Sequence, residues 1–155
     1  MSSTSRMARG NLRCRVITPR RQVFDEMVQS VELNTVSGTL EVFARFEPTI
    51  APLNVGVMHV KGDDGGVTEL AIHGGYMDMN GSVLVVLADS AEIGTEIDVE
   101  RARQSLERAR AKLAELTSDN ADSVKVDMDR AKMAMLRALT RLQVVGEAPP
   151  MGPNS

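Results

Sequence analysis

Two histidines, one cysteine and a set of arginines at helical spacing are the residues whose types could do chemistry. His59 and His73 each fall inside an alternating β-like run, with no carboxylate or cysteine at ligand spacing. They read as structural or surface residues, not as metal ligands or general bases. Cys14 alternates with Leu12 and Val16, the pattern of a small buried hydrophobe and not of a nucleophile. A single cysteine also excludes an internal disulfide and a cysteine-based zinc site. Gly74-Gly75, between two β-like runs, reads as a tight turn or bulge. No glycine-rich phosphate loop opens a helix, and no Ser/His/Asp arrangement is present. The chain is therefore not expected to be an enzyme.

The arginines carry the other pattern. Arg101 and Arg108 are seven residues apart, on one face of a helix. Arg130, Arg137 and Arg141 follow at steps of seven and four, again on one face. Such a stripe is ordinarily a solvated face, and Glu107, Asp127 and Asp129 help solvate this one. Five guanidiniums in two stripes can also grip a polyphosphate or an acidic protein surface, because the guanidinium fork pairs with such oxygens bidentately. Asp98, at a helix start, can accept donors from a base or ribose, or simply cap the helix.

Two kinds of element must position these residues, and the chain changes from one to the other near residue 96. Through residue 96 there are 8 Lys+Arg and 12 Asp+Glu; beyond it there are 10 and 9. An acidic first part and a slightly basic second part thus make up the net charge of −3. In the first part, Leu12, Cys14 and Val16 alternate with Arg13 and Arg15, a half-buried strand that ends at Thr18-Pro19-Arg20. Further runs lie around Val28 to Leu33 and Leu40 to Phe43. Val57 to Lys61 and Val67 to Ile72 flank a five-residue Gly/Asp turn. Tyr76 to Met79 and Ser82 to Leu87 flank Asn80-Gly81, a strong hairpin signal because both turn residues need positive φ. Short strands at this spacing predict a β-sandwich or flattened barrel.

In the second part, Thr95 with Asp98 suggests a capping box. Val99, Ala102, Leu106, Ala109, Leu113 and Leu116 then form a seam with alternating steps of three and four. Thr117-Ser118-Asp119-Asn120 breaks it, and a matching seam runs Met128, Ala131, Met135, Ala138, Leu142 and Val145. Two equal seams joined by a short loop predict an antiparallel helical hairpin over residues 97–146. At roughly 25 cal/mol per Å² buried, an alanine-rich two-helix seam is marginal, so the hairpin is expected to need a partner surface. Residues 1–10 and 147–155 are expected to be disordered tails flanking a β domain over 11–96.

Composition narrows the class. Aromatics are only 3%, so the core must be built from Val, Leu, Ile, Ala and ten Met. The near-neutral balance argues against nucleic acid, and no apolar run is long enough for a transmembrane helix. The short Ser- and Arg-rich start has no apolar stretch and reads as an unstructured tail, or as a start at Met7. A reducing, cytoplasm-like compartment is expected.

Several stretches, taken in order, resemble the epsilon subunit family of F-type rotary ATP synthases from about Leu12 to Val145. Val16-Ile17-Thr18-Pro19 looks like the family's opening strand and turn. Gly74-Gly75-Tyr76-Met77 looks like its Gly-Gly-aromatic strand start, and Val83 to Asp89 is similar to its penultimate-strand signature. Ile97-Asp98-Val99-Glu100-Arg101-Ala102 matches the Ile/Leu-Asp-x-x-Arg-Ala start of the first helix. The resemblance implies a sandwich of about ten strands followed by the two-helix hairpin. It implies a non-catalytic central-stalk subunit that binds the gamma subunit and the c-ring, and so couples proton flow to ATP synthesis by the alpha/beta subunits. Membrane association would be indirect, through the complex, at the cytoplasmic face of a bacterial plasma membrane.

The hairpin in that family is a regulatory arm: folded it permits ATP hydrolysis, extended it reaches the alpha/beta subunits and inhibits. Arg130, Arg137 and Arg141 would then meet acidic groups there. No cofactor is required, but some bacterial members bind regulatory ATP through residues similar to Glu92, Ile97, Asp98, Arg101, Ala102, Arg108, Arg130, Arg137 and Arg141. One segment departs from the family. Where the usual members read Gly-x-Ile-Gly-Ile-Leu-Pro-Gly-His-x-Pro-Leu, this chain has Gly38 to Thr49 with Ala44-Arg45-Phe46 in place of Pro-Gly-His. In the family this loop touches the c-ring, so Phe43, Arg45 and Phe46 are the expected contacts, with both rings exposed as an interaction patch. Two other readings are an ATP-sensing binding module and a sandwich adaptor unrelated to ATPases.

Overall fold

A computed structural model describes residues 12–116 and 122–147. The expected tail over residues 1–10, the Thr117–Asn120 break and the C-terminal tail beyond Glu147 lie outside the described residues. The chain divides into two compact units at Gly94/Thr95.

Among the described residues the first unit holds eight strands: β1 (Leu12–Ile17), β2 (Gln22–Val28), β3 (Ser30–Thr35), β4 (Gly38–Phe43), β5 (Thr49–Lys61), β6 (Val67–Asn80), β7 (Val83–Ala88) and β8 (Ala91–Ile93). They hydrogen-bond in the order β2-β1-β7-β6-β5-β3-β4, with β8 also on β6. The β1–β7 pair is parallel and the other pairs are antiparallel. Two strands are far longer than the sequence runs suggest: β5 has 13 residues and β6 has 14. The second half of β6 pairs with β7 and the first half with β8, so one strand serves both layers. Counting each long strand's two halves separately turns eight strands into the ten that the resemblance implies.

The expected turn or bulge at Gly74-Gly75 is thus a point within one strand, and the glycines are what let it continue. Both have positive φ, 81° and 119°, and a Cβ on Gly75 would lie 2.1 Å from the Leu87 carbonyl oxygen. Only glycine combines that backbone with that approach. The run from Val28 to Leu33 is conversely two strands, because β2 ends at Val28 and β3 begins at Ser30. One contiguous core fills the unit. Leu12, Cys14, Val16, Met77, Leu84 and Val86 come from one layer, and Val31, Leu33, Val42, Met58, Val60 and Leu70 from the other. Methionine does the bulk filling that aromatics usually do: Met58, Met77 and Met79 are among the largest fully buried side chains.

The second unit is an antiparallel helical pair, α1 (Val99–Leu116) and α2 (Asp122–Val144), preceded by a 3-10 turn over Gly94–Glu96. Its core is Ala102 and Leu106 against Ala138 and Leu142, with Val99 and Met135 alongside, all on the seams read from the sequence, and Leu139, which is on neither seam. Thr140 is also buried, and its hydroxyl donates to the Leu136 carbonyl at 2.8 Å. The Thr95–Asp98 capping box is corrected: Thr95 belongs to the 3-10 turn and Asp98 is itself the N-cap. Its Oδ1 accepts the Arg101 N–H at 3.1 Å, and its carbonyl accepts the Ala102 N–H at 3.0 Å.

Candidate functional site: an apolar sheet face, a loop tip and a basic groove

The outward side chains of β1, β7, β6 and β5 make a surface that water does not favour. Ile17 lies beside Leu87 on β7, Leu87 beside Tyr76 on β6, and Tyr76 beside Pro52 on β5. The next row carries Arg15, Val85, Asp78 and Ile50. Ile50 is 73% exposed, Tyr76 58% and Leu87 53%. Alternation dictates this arrangement: the residues between them, Val16, Val86 and Met77, point into the core and are fully buried. Contiguous exposed apolar area of this kind marks a docking surface. At its margin two arginines share one carboxylate. The Arg13 guanidinium donates to both Asp25 oxygens at 3.0 and 2.9 Å, and Arg15 lies 3.7 Å away. The Arg13 hydrogen bond and the two positive charges hold the Asp25 carboxyl below its ordinary range. The outer face of the other layer is polar by contrast, with Glu32, His59 and Glu69 on adjacent strands β3, β5 and β6. The two carboxylates lie 3.7 and 3.3 Å from the His59 ring nitrogens.

The β4–β5 loop forms a tip. Arg45 has φ 64°, in the left-handed region, and is exposed. Its N–H donates to the Gly81 carbonyl at 3.1 Å, tying the loop to the Asn80-Gly81 turn. Phe43 is 49% exposed. Phe46 departs from expectation. The Phe46 N–H donates to the Phe43 carbonyl at 3.2 Å, a tight turn, and its ring packs on the sandwich core. Phe43 and Arg45 therefore present themselves outward, while Phe46 is a half-buried support.

On the hairpin, a groove of about 400 Å³ runs between the helices. Ser105, Arg108, Ala109 and Lys112 line it from α1, and Asp127, Arg130, Ala131 and Ala134 from α2. It brings Arg108 and Arg130 together over an alanine floor and adds Lys112, which the arginine spacing missed although it stands four residues past Arg108. Arg108 Nη2 donates to Ser105 Oγ at 3.1 Å. Arg101, Arg137 and Arg141 are not in its lining. Ile97 and Ala102 are buried, so they have packing roles here, and Asp98 caps α1. Glu92 lies on β8, in the first unit.

The remaining chemistry-bearing residues, Cys14 and His73, lie inside the sandwich. Cys14 is fully buried, and burial first, then the charges of Asp25 and Glu26, push its thiol up to about 12. His73 is buried. Among the described residues no group of three His, Cys, Asp or Glu is disposed to hold a metal ion, and no helix is long and apolar enough to cross a membrane.

Comparison with known proteins accounts for both units. Residues 11–94 match the family model "ATP synthase, Delta/Epsilon chain, beta-sandwich domain", and residues 95–146 match "ATP synthase, Delta/Epsilon chain, long alpha-helix domain". The chain is 36% identical over 136 residues to the ATP synthase epsilon chain of Halalkalibacterium halodurans, covering 87% of this chain and 97% of that one. It is 32% identical over 146 residues to the ATP synthase epsilon chain of Lacticaseibacillus casei, covering 93% and 97%. Among solved structures, a chain of the Euglena gracilis mitochondrial ATP synthase shares the fold at TM-score 0.69 and 23% identity, over 85% of this chain and 79% of that one. With both units matched in order and nearly the full length of these relatives covered, the chain belongs to the ATP synthase delta/epsilon family.

Proposed function

We propose that this protein is the epsilon-type subunit of an F-type ATP synthase central stalk, turning with the rotor and coupling proton flow to ATP synthesis. The observation that carries the reading is the apolar sheet face of Ile17, Ile50, Tyr76 and Leu87. A subunit that transmits torque needs a permanent interface, and permanent interfaces are apolar and charge-poor at their centre. That face is assigned to the gamma subunit. The loop tip with Phe43 and Arg45 is assigned to the c-ring, with Phe46 holding its shape. The protein itself catalyses nothing in this reading, and it meets the membrane only through the complex, on the cytoplasmic side.

The test is association with purified gamma. Tyr76→Asp and Leu87→Asp sit on an already exposed face, so the sandwich should fold normally while gamma binding weakens at least tenfold for each. Unchanged binding by a folded double variant would remove gamma from this face.

The hairpin is assigned the inhibitory role. Its helices have a small core, and α2 carries Arg130, Arg137 and Arg141, which suit acidic surfaces on the alpha/beta subunits. Replacing all three with Gln should weaken inhibition of ATP hydrolysis. A second reading, ATP sensing by the folded hairpin, is favoured by the groove that gathers Arg108, Lys112 and Arg130. Titration calorimetry separates the two, since absence of heat at millimolar ATP would sink the sensor.

A further inference from the structure

We propose that the Arg103–Glu147 ion pair is a latch that holds the open end of the hairpin shut and sets how readily α2 leaves α1. The chain ties the helices together at one end only, through residues 117–121. At the other end nothing covalent joins the start of α1 to the finish of α2. There Arg103 Nη2 donates to Glu147 Oε2, across 44 residues of sequence. The same guanidinium reaches Glu100 Oε2 with Nη1 at 3.5 Å, which fixes it on α1.

Glu147 is aimed by the way α2 stops. Gly146 takes a left-handed φ of 77°. Its N–H donates to the Gln143 carbonyl at 3.1 Å, and the Glu147 N–H donates to the Leu142 carbonyl at 2.8 Å. These two bonds make a Schellman cap, so the backbone that carries the carboxylate is held before the ion pair forms. Leu142, which accepts the cap, is also a core residue of the seam. Leu142 therefore ties the backbone cap to the seam at the end where the ion pair closes, and the cap holds with or without that pair. Ala102 and Ala138 contribute little area to that seam, so a single added contact at the free end weighs more than it would on a large core. Both side chains are partly exposed, so the expected size is that of a well-positioned surface pair, a two- to fivefold change in the open-to-closed ratio.

The regulatory meaning rests on the arm reading above; the latch itself does not. The test is hydrogen exchange of the last two turns of α2 in the full-length chain, for wild type, Arg103→Gln, Glu147→Gln and the double variant. Each single variant is expected to speed exchange two- to fivefold, and the double no more than either single. Addition of 1 M salt should speed the wild type and leave the variants unmoved. Single variants that exchange at the wild-type rate, or effects that simply add in the double, would overturn the latch. A fall in total helicity in Glu147→Gln would also overturn it, because the cap is made by backbone and should survive. Steady ATPase assays on the assembled complex then separate the two ideas. Faster exchange with unchanged inhibition leaves the latch in place and removes the arm reading.

Discussion

Individual residues in the sandwich show how little freedom the packing leaves. Gly75 combines φ 119° with a carbonyl 2.1 Å from where a Cβ would be. Gly75→Ala should therefore cost about 3 kcal/mol or more, from strain and displacement of β7, read as a fall in the urea midpoint. Gly81 has φ 66° but open space around it, so Gly81→Ala should cost only about 1–2 kcal/mol. A reversed order would mean that β6 and β7 are not in this register. Cys14 gives a pH prediction. Its thiol ionises near pH 8.5 when unfolded but is pushed up to about 12 in the fold. Between those values the folded state holds a proton that the unfolded state has lost. Stability is thus complete below about pH 8.5 and falls as pH rises toward 12, by up to about 1.4 kcal/mol per pH unit. The difference between wild type and Cys14→Ala should shrink across that range; a constant difference would mean that the thiol is not held protonated. Alkylation of the native protein at pH 8 should be as slow as global unfolding.

The elements differ in how far sequence alone revealed them, and the reasons are physical. Seams at steps of three and four, and Asn80-Gly81 between alternating runs, are local signals; the helices and the β6–β7 hairpin are there, but of the two expected turn residues only Gly81 takes positive φ, because Asn80 still pairs with Val83 in the strand. The lengths of β5 and β6 were not legible, because pairing with β3, β7 and β8 carries each strand through residues that locally read as breaks, such as Gly74-Gly75 and Pro52. Phe46, exposed by its place in a loop, is half-buried in the fold because a tight turn, held beside the Arg45–Gly81 bond, brings its ring onto the core. The sheet face was legible only in part. Each exposed apolar residue is visible in an alternating run, but their adjacency requires the strand order. Asp98 has alternative roles by type, and the hydrogen bond its Oδ1 accepts from the Arg101 N–H shows that it caps the helix. Asp98→Ala should cost the hairpin about 1 kcal/mol, seen as earlier loss of helical signal on heating, and Asp98→Asn or Ser should restore most of it. Equal losses for Ala and Ser would point away from a cap.

Across the whole molecule, the two units are built to different strengths. The sandwich unites buried residues from all eight strands in one cluster, with Met58, Met77 and Met79 filling volume and both long strands crossing between layers. The helical unit centres on four residues, two of them alanine. Hydrophobic stabilisation follows area, so the second unit should open at far lower free energy than the first. For a rotor subunit this division is useful: the body must keep its shape under torque, and the arm proposed above would have to come apart without taking the body with it. Native-state hydrogen exchange followed by mass spectrometry measures this directly. Amides of α1 and α2 should exchange together through an opening at least about 3 kcal/mol below that of β1, β6 and β7, which should exchange only on global unfolding. Leu106→Ala should lower the helical value by about 2–4 kcal/mol, or to the point where protection disappears, and leave the strand value unchanged. Strands and helices that exchange with one common free energy, and that fall together in Leu106→Ala, would make the molecule a single cooperative unit and leave no independent arm to regulate anything.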